Sequence, residues 1–364
     1  MKMTINLVRI FVSVLFILSG FVKLVDPIGF SYKLQEYAAS DVLNLPFLAS
    51  MALVFAILLV ILEIVLGVML LLGYKTALTV WSLLILIVFF TFLTFYSAYF
   101  NKVTDCGCFG DAMPLTPWQS FTKDVILLVL IFILIAGKKY INPIFSSKIS
   151  FLINFAAVFL SLWVAYYGLM HLPMIDFRPY KIGTNIEQSM TIPDNAPKPV
   201  FEYSWRFDVN GEDKIVKTSG NYPQVDGTFV DVETKLISEG YKPPIHDFSI
   251  EKDGEDYTSN FLKKEKVILV VMYNLSKVEQ KGAESLSYLV SQAKKKNYEI
   301  IALSASGAKD VEKFKTTYDL DLDFYVCDET ALKTIIRSNP GVLVINKGTI
   351  VQKRHWNDLG KIKL

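Results

Sequence analysis

Long apolar segments separated by short polar loops fill the first half of the chain, whereas the second half alternates short apolar runs with charged stretches. A helix crosses the bilayer core with about 20 apolar residues. Five segments approach that length, and the only charge inside the second of them is Glu63. They cover residues 5–25, 47–72, 77–99, 121–136 and 149–172. The pattern predicts five membrane-spanning helices followed by a soluble domain.

The distribution of lysine and arginine predicts the orientation of these helices, because cytoplasmic loops carry the excess of positive charge. The first segment lacks a small-x-small cleavage site, so we expect it to be retained rather than removed as a signal peptide. With the N-terminus inside, the inner side holds Lys2, Arg9, Lys75, Lys138, Lys139 and Lys148, and the outer loops hold Lys33 and Lys102. Five spans then place both the loop around Cys106 and the C-terminal half outside.

The second half has the rhythm of a mixed α/β domain. Proline is frequent from 173 to 200, which indicates a linker. Alternation over 201–209, Asn210-Gly211 and a return strand over 214–218 predict a hairpin. The later pattern predicts strands at 266–273, 298–304, 324–327, 341–346 and 349–354 and helices at 282–295, 309–317 and 329–337.

Composition agrees with this division and excludes several classes of protein. The chain has 364 residues, of which 52% are hydrophobic, and a mean hydropathy of +0.38, which is too apolar for an ordinary soluble protein. A formal net charge of +2 gives no nucleic-acid signal. Three cysteines are too few for a disulfide scaffold. The predicted domains are 1–140, a fifth helix and linker over 141–177, a β-hairpin region over 178–244, and 245–364.

The most reactive candidate is the Cys106-Gly107-Cys108 motif, in the loop between the third and fourth apolar segments. A Cys-x-Cys pair can close a strained disulfide, and exposed strained disulfides exchange readily with thiols. Asp105 and Asp111 flank the pair, and negative neighbours favour an electron-accepting disulfide over a nucleophilic thiolate. A static structural disulfide and a metal site are the alternatives, the latter weakened by the lack of further ligands.

Three charged residues of the apolar segments are further candidates. A carboxylate inside a span usually faces the bundle interior and has a function, so Glu63 is a candidate proton relay or a packing contact. Lys23 and Asp26 lie three residues apart on one helical face, where we expect an ion pair that fixes the helix end. The alternative for Lys23 and Asp26 is a quinone headgroup pocket.

Aromatic residues crowd the end of the third segment, and they include Tyr96 and Tyr99. Aromatic residues at a membrane interface are mostly anchors, but a quinone site near Cys106 would use the same side chains. Cys327 ends a strand of the soluble half, where a buried free thiol is expected and a tether to Cys106 or Cys108 is the alternative.

Two motifs carry a resemblance to a known family. Gly20-Phe21-Val22-Lys23-Leu24-Val25-Asp26-Pro27 and Cys106-Gly107-Cys108-Phe109-Gly110 resemble the DoxX family, and within it the MauE-like branch. The resemblance implies a four-helix core plus a fifth span in a bacterial inner membrane, with the C-terminal domain periplasmic. It also implies sulfur or disulfide chemistry linked to quinone.

The α/β half resembles the thioredoxin fold in its TlpA or peroxiredoxin-like form. Asn339-Pro340-Gly341 stands where that fold has a cis-proline, and Met272-Tyr273-Asn274 stands where its first central strand delivers the active site. The family has Cys-x-x-Cys there, whereas this chain has Asn274-Leu275-Ser276-Lys277. The resemblance therefore implies a degenerate domain that retains a binding surface.

Together these observations predict a membrane thiol–disulfide oxidoreductase. Electrons would pass from an extracytoplasmic thiol protein through Cys106 and Cys108, with Glu63 relaying protons, to a quinone held by Lys23, Asp26, Tyr96 and Tyr99. Membrane lipid is the other expected partner, and nucleic acid is not. The alternative is a non-enzymatic membrane scaffold or assembly factor whose tail binds envelope proteins. A transporter finds little support, since Glu63 is the one plausible polar group at mid-membrane depth.

Overall fold

A computed structural model describes residues 1–103 and 107–364. Within these residues, five helices are long and apolar enough to cross a membrane, which confirms the prediction of five spans. The N-terminal half consists of α1 (Lys2–Val25), α2 (Pro27–Ala38), α3 (Pro46–Ser50), α4 (Ala52–Leu72), α5 (Thr76–Phe100), α6 (Pro117–Ala136) and α7 (Ser147–Met170). The spanning helices are α1, α4, α5, α6 and α7.

The structure differs from the predicted helices at three helix starts. The helix α2 was not predicted, although Asp26 caps its N-terminus and Pro27 occupies its first position. The predicted span 47–72 is divided at Met51 into α3 and α4. The helix α6 begins at Pro117 rather than near 121, because Thr116 forms a capping box with Gln119.

Helices α1 and α4 approach closely through glycines, one on each helix. A Cβ atom built at Gly20 would lie 2.6 Å from Ile64 Cγ1, and one at Gly67 would lie 2.8 Å from Ile17 Cγ1. Small residues allow membrane helices to approach in this way. The close approach sets Lys23, three residues after Gly20, against Glu63, four residues before Gly67.

A small antiparallel sheet follows the linker and the short helix α8 (Ile186–Met190). Its strands are β1 (Val200–Val209), β2 (Glu212–Thr218) and β3 (Thr228–Ser238), in the order β2-β1-β3. The β1–β2 hairpin around Asn210-Gly211 was predicted, and Asn210 and Gly211 have the positive φ that such a turn requires. The strand β3 was not predicted.

The last third of the chain forms a seven-stranded mixed sheet. Its elements are β4 (Glu251–Lys252), β5 (Glu255–Asp256), α9 (Thr258–Leu262), β6 (Val267–Val271), α10 (Gln280–Lys295), β7 (Glu299–Ser304), α11 (Ala308–Tyr318), β8 (Asp323–Val326), α12 (Glu329–Ile335), β9 (Gly341–Asn346) and β10 (Thr349–His355). The strand order is β10-β9-β6-β7-β8-β4-β5. The strands β6, β7 and β8 are parallel, and β9 is antiparallel to β6.

This sheet has a hydrophobic core on each face, as a mixed α/β sheet requires. One core contains Leu332 and Ile335 of α12, and the other contains Leu286 and Leu289 of α10. Every residue of β6 is buried, so this interior strand is apolar on both faces. The alternation of strands and helices predicted for this half is confirmed.

Candidate functional site

The first feature of the site is an ion pair inside the helical bundle. Lys23 Nζ lies 2.5 Å from Glu63 Oε2, and both side chains are buried. The ammonium also lies 4.9 Å from the ring centroid of Phe90 and 5.2 Å from that of Phe30. The expected pair between Lys23 and Asp26 is therefore wrong, because the close approach of α1 and α4 gives Lys23 a nearer carboxylate.

The loop that carries Cys108 packs directly over this ion pair. Cys108 is half-buried, and its carbonyl accepts a hydrogen bond of 2.9 Å from Ser19 Oγ on α1. Cys108 lines a cavity of about 30 Å³ together with Lys23, Glu63 and Asp124. A polar cavity of that size holds about one water molecule. Cys108 thus lies at the polar interior of the bundle, whereas Cys106 and Asp105 lie outside the described residues.

The conformation of the loop that carries Cys108 depends on Gly107, which packs against the aliphatic part of the Lys33 side chain. Gly107 has a φ of +65°, which L-residues rarely adopt. A Cβ atom at Gly107 would lie 3.0 Å from Lys33 Cγ of α2. Glycine between the two cysteines therefore serves both the backbone conformation and the contact with α2.

A second buried carboxylate beside Cys108 was missed from the sequence. Asp124 of α6 accepts a hydrogen bond of 3.0 Å from Thr94 Oγ1 of α5, and its other oxygen lies 2.6 Å from Lys123 Nζ. The sequence does contain a sign of this buried carboxylate, the Lys123-Asp124 pair near the start of the fourth apolar segment. Polar groups in a span usually face the interior, and Asp124 joins Glu63 there.

Arg337 links the soluble half to the loop and to the end of α1. Its Nε lies 2.8 Å from Asp26 Oδ2, and its Nη2 lies 3.2 Å from Asp111 Oδ2 in the loop that follows Cys108. Burial opposes the charges, but the mutual attraction outweighs it: the pKa of Asp26 lies below its usual range, and the pKa of Arg337 lies above. We call Arg337, Asp26 and Asp111 the arginine clamp.

Arg337 stands two residues before the cis peptide bond Asn339-Pro340, which the resemblance led us to expect. Asn339 Nδ2 donates a hydrogen bond of 2.8 Å to the carbonyl of Asn274. Lys333 Nζ lies 4.9 Å from the ring centroid of Tyr32 on α2 and 5.7 Å from that of Tyr273. Tyr273 follows the end of β6, and the cis-proline segment precedes β9. This end of the sheet therefore faces the membrane half.

The segment after α7 contacts the soluble half through a buried charged cluster of Asp176, Arg178 and Lys353. Asp176 Oδ1 lies 2.8 Å from Arg178 Nε, and Asp176 Oδ2 lies 2.7 Å from Lys353 Nζ. Burial and the neighbouring Arg178 guanidinium lower the pKa of Lys353 to about 7. The same surroundings, through Arg178 and Lys353, hold the pKa of Asp176 below its usual range despite burial.

The two tyrosines predicted to bind quinone lie apart from Lys23 and Asp26. Tyr96 donates a hydrogen bond of 2.9 Å to the carbonyl of Val42, and Tyr99 is 65% exposed. Tyr99 stacks on Phe95 with ring centroids 5.6 Å apart, and Tyr96 lies 4.6 Å from Phe100. They belong to an exposed aromatic cluster formed by Phe95, Tyr96, Tyr99, Phe100, Trp118 and Phe121.

Cys327 has a different environment from Cys108. It is a buried free thiol, 1% exposed, within the apolar core that contains Tyr180 and Phe248. Burial raises the pKa of the Cys327 thiol to about 12. The expectation of a buried free cysteine is confirmed.

Comparison with known proteins concerns the membrane half. Residues 1–137 match the family described as methylamine utilisation protein MauE. A segment of 137 residues is 30% identical to Protein TlpB of Flavobacterium psychrophilum, and it covers 35% of this chain and 36% of that protein. The chain thus spans about a third of the length of the curated relative it matches. Glu63, Lys23 and the Cys108 loop all fall in the family match, so the first 137 residues of this multi-span membrane protein are similar to the MauE family.

Proposed function

We propose that this protein is a membrane thiol–disulfide oxidoreductase that uses Cys106 and Cys108. The observation that carries the proposal is the position of Cys108, which lines a cavity with two buried carboxylates of the bundle, in a loop whose Asp111 contacts Arg337 of the soluble half. A redox pair that exchanges protons as well as electrons needs such groups nearby. Glu63 and Asp124 line the same one-water cavity as Cys108, so they suit a short proton path.

The reaction has two balanced steps. Two thiols of an extracytoplasmic protein reduce the Cys106–Cys108 disulfide, and the partner's thiols become a disulfide. The pair is then reoxidised, and its two electrons and two protons go to a membrane quinone, which becomes a quinol. Thiol–disulfide exchange of this kind proceeds through a mixed disulfide.

The exposed aromatic cluster around Tyr96 and Tyr99 is the part of the site that fits a quinone ring. Planar rings stack on exposed aromatic side chains, and Tyr99 and Phe100 are both more than half exposed. The cluster is formed by the end of α5 and the start of α6, and Tyr99 stands seven residues before Cys106 in sequence. In this proposal Lys23 acts within the bundle through Glu63, and Asp26 acts through the arginine clamp, rather than on the quinone.

The soluble half is proposed to be a thioredoxin-like partner-docking domain. Its sheet order and the cis bond before β9 support that fold. A short turn, Leu275–Lys277, stands where the fold's cysteines would be. The resemblance and the predicted orientation support a periplasmic position for this domain, in an oxidising compartment where disulfides persist.

The test is quinone reduction by the full-length protein in lipid nanodiscs, with a reduced dithiol protein as electron donor and decylubiquinone as acceptor. We expect Cys106→Ser and Cys108→Ser each to abolish turnover and Cys327→Ser to retain it. Equal turnover in all three variants, or none in the wild type with any dithiol donor, would contradict the proposal.

A non-enzymatic scaffold is the second candidate, and two observations favour it. The soluble half has Asn274-Leu275-Ser276-Lys277 in place of Cys-x-x-Cys. The arginine clamp holds this half against the membrane half. A scaffold that binds partners needs its domains held in a fixed relative position. Under this alternative, Cys106→Ser leaves partner binding and host disulfide formation unchanged.

A further inference from the structure

A large cavity lies between the membrane half and the soluble half. Its volume is about 650 Å³, within the range of about 300–1,000 Å³ that small-molecule sites occupy. The walls come from the end of α1, from α2, from the loop after Cys106, from the segment that follows α7, and from α12. The cavity is thus closed on several sides by separate parts of the chain.

The charges on its walls are unequal. Among the described residues that line it, the cationic side chains are Lys23, Lys33, Arg178, Lys333 and Arg337, and the carboxylates are Asp26, Glu36 and Asp111. Ionised at neutral pH, the lining residues carry an excess of positive charge at a partly enclosed space, while Glu63, Asp176 and Glu329, which pair with three of these cations, do not line it. Such a space concentrates anions, because low-dielectric walls focus the field.

The cations differ in how far their hydrogen-bonding capacity is used. Arg337 is committed to the arginine clamp and to the carbonyl of Lys333. Arg178 is only 2% exposed, and among the residues that the structure describes its Nη2 has no hydrogen-bond partner. Its remaining donors bond Asp176 and the carbonyl of Thr334, so Arg178 contributes a buried positive charge to the wall rather than an exposed donor.

Two lysines of the cavity are held by partly exposed ion pairs, and Lys333 also lies over the ring of Tyr32. Lys33 lies 3.0 Å from Glu36, and Lys333 lies 2.8 Å from Glu329. Exposed pairs of this kind contribute little free energy. Both ammonium groups can therefore turn to a ligand at small cost.

The positive field acts on a neighbouring group as well. Burial and the charge of Arg178, with a smaller contribution from Arg337, lower the pKa of Lys353. Lys353 does not line the cavity, yet it feels two of the cations that do.

We propose that this cavity binds a small organic anion, whose carboxylate groups are held by Lys33 and Lys333 beside the buried charge of Arg178. The site goes beyond the proposed redox function and does not depend on it. Carboxylates suit the site because guanidinium and ammonium donors make their strongest hydrogen bonds to charged oxygens.

The test is calorimetric titration of the full-length protein in nanodiscs of phosphatidylcholine, with citrate as the probe and trimethyl citrate as its neutral counterpart. We expect saturable binding of citrate and none of the ester. Lys33→Gln and Lys333→Gln should each weaken citrate binding about tenfold, the loss of one charge-assisted hydrogen bond. Lys347→Gln is the matched control, because Lys347 forms an exposed ion pair with Glu265 outside the cavity.

Three results would overturn the proposal: no citrate binding to the wild type, equal binding by all variants, or equal binding of the ester. A parallel titration in nanodiscs that contain phosphatidylglycerol separates a soluble anion from a lipid headgroup. Retained citrate binding supports a soluble anion, whereas its loss there assigns the cavity to the lipid and contradicts the proposal. Thermal unfolding of the two lysine variants near that of the wild type shows that they are folded.

Discussion

The two described cysteines occupy regions with opposite chemistry. Cys108 is half-buried in a loop, beside the Lys23–Glu63 ion pair and a second carboxylate, Asp124, of the bundle. Cys327 is enclosed by an apolar core, and burial raises its pKa to about 12. Thiol reactivity depends on access and on the thiolate fraction. The comparison teaches that the described cysteine of the membrane half lies partly accessible beside charged groups, whereas that of the α/β half is enclosed among apolar ones.

The polar interiors of the two halves differ in the same sense. In the bundle, Lys23 and Glu63 are buried within the spanning helices. A charged side chain at that depth costs free energy, and such residues usually have a function. In the α/β half, charged residues gather at the edge that faces the membrane half, as Arg337 and Lys353 do. The Cys108 loop of one half therefore lies next to charged residues of the other half.

The largest expected effect on stability comes from removing one partner of the ion pair in the bundle. Glu63→Gln leaves the Lys23 ammonium buried without a counter-charge, and we expect a loss of about 3–5 kcal/mol in the free energy of unfolding. Unfolding in detergent, monitored by circular dichroism, measures it. The double variant Lys23→Met, Glu63→Leu is the control, because it removes both charges and should recover most of the loss. A Glu63→Gln protein as stable as the wild type would contradict a charged pair.

Removal of the arginine clamp should have a smaller effect. Arg337→Met leaves Asp26 near Arg178 and leaves Asp111 partly exposed, so we expect a loss of about 2 kcal/mol, below the range for a fully buried pair. Hydrogen exchange should increase in the loop around Asp111, since its contact to the α/β half is lost. Lys347→Met serves as the matched control at an exposed ion pair, where the expected change is close to zero. Unchanged exchange in the loop would show that the clamp does not hold it.

The pH dependence of stability tests the charged edge. The unfolded chain keeps the Lys353 proton to about pH 10, whereas the folded protein loses it above about pH 7. The unfolded state then binds more protons, so this group makes stability rise with pH above about 7. Relative to Lys353→Met, we expect the wild type to gain about 1 kcal/mol between pH 7 and pH 8. A constant difference across this interval would contradict a depressed pKa.

The smallest expected effect concerns Cys327. Cys327→Ala should leave dithiol-driven quinone reduction unchanged, since the thiol is enclosed and its pKa is high. The labelling rate of Cys327 by iodoacetamide in the native protein should be far below that of a Cys108 thiol after reduction. Rapid labelling of Cys327 would remove the distinction between the two regions.

The sequence predicted the five spans and most strands because long apolar runs and alternation are strong local signals. It missed α2, since helix α2 is short and only its cap and Pro27 indicate it. It did not predict the pairing of Lys23 with Glu63 rather than Asp26, because that depends on the close approach of α1 and α4. Arg337 stands 311 positions from Asp26 in the chain, and no local pattern relates two residues so far apart.

The most direct test of the central claim is the redox state of Cys106 and Cys108 in membranes that contain the full-length protein, measured by thiol trapping with and without added quinone. Our account predicts that the pair cycles between dithiol and disulfide and that its reoxidation requires quinone. A pair that stays oxidised throughout, with a midpoint potential below about −300 mV as structural disulfides have, would contradict it.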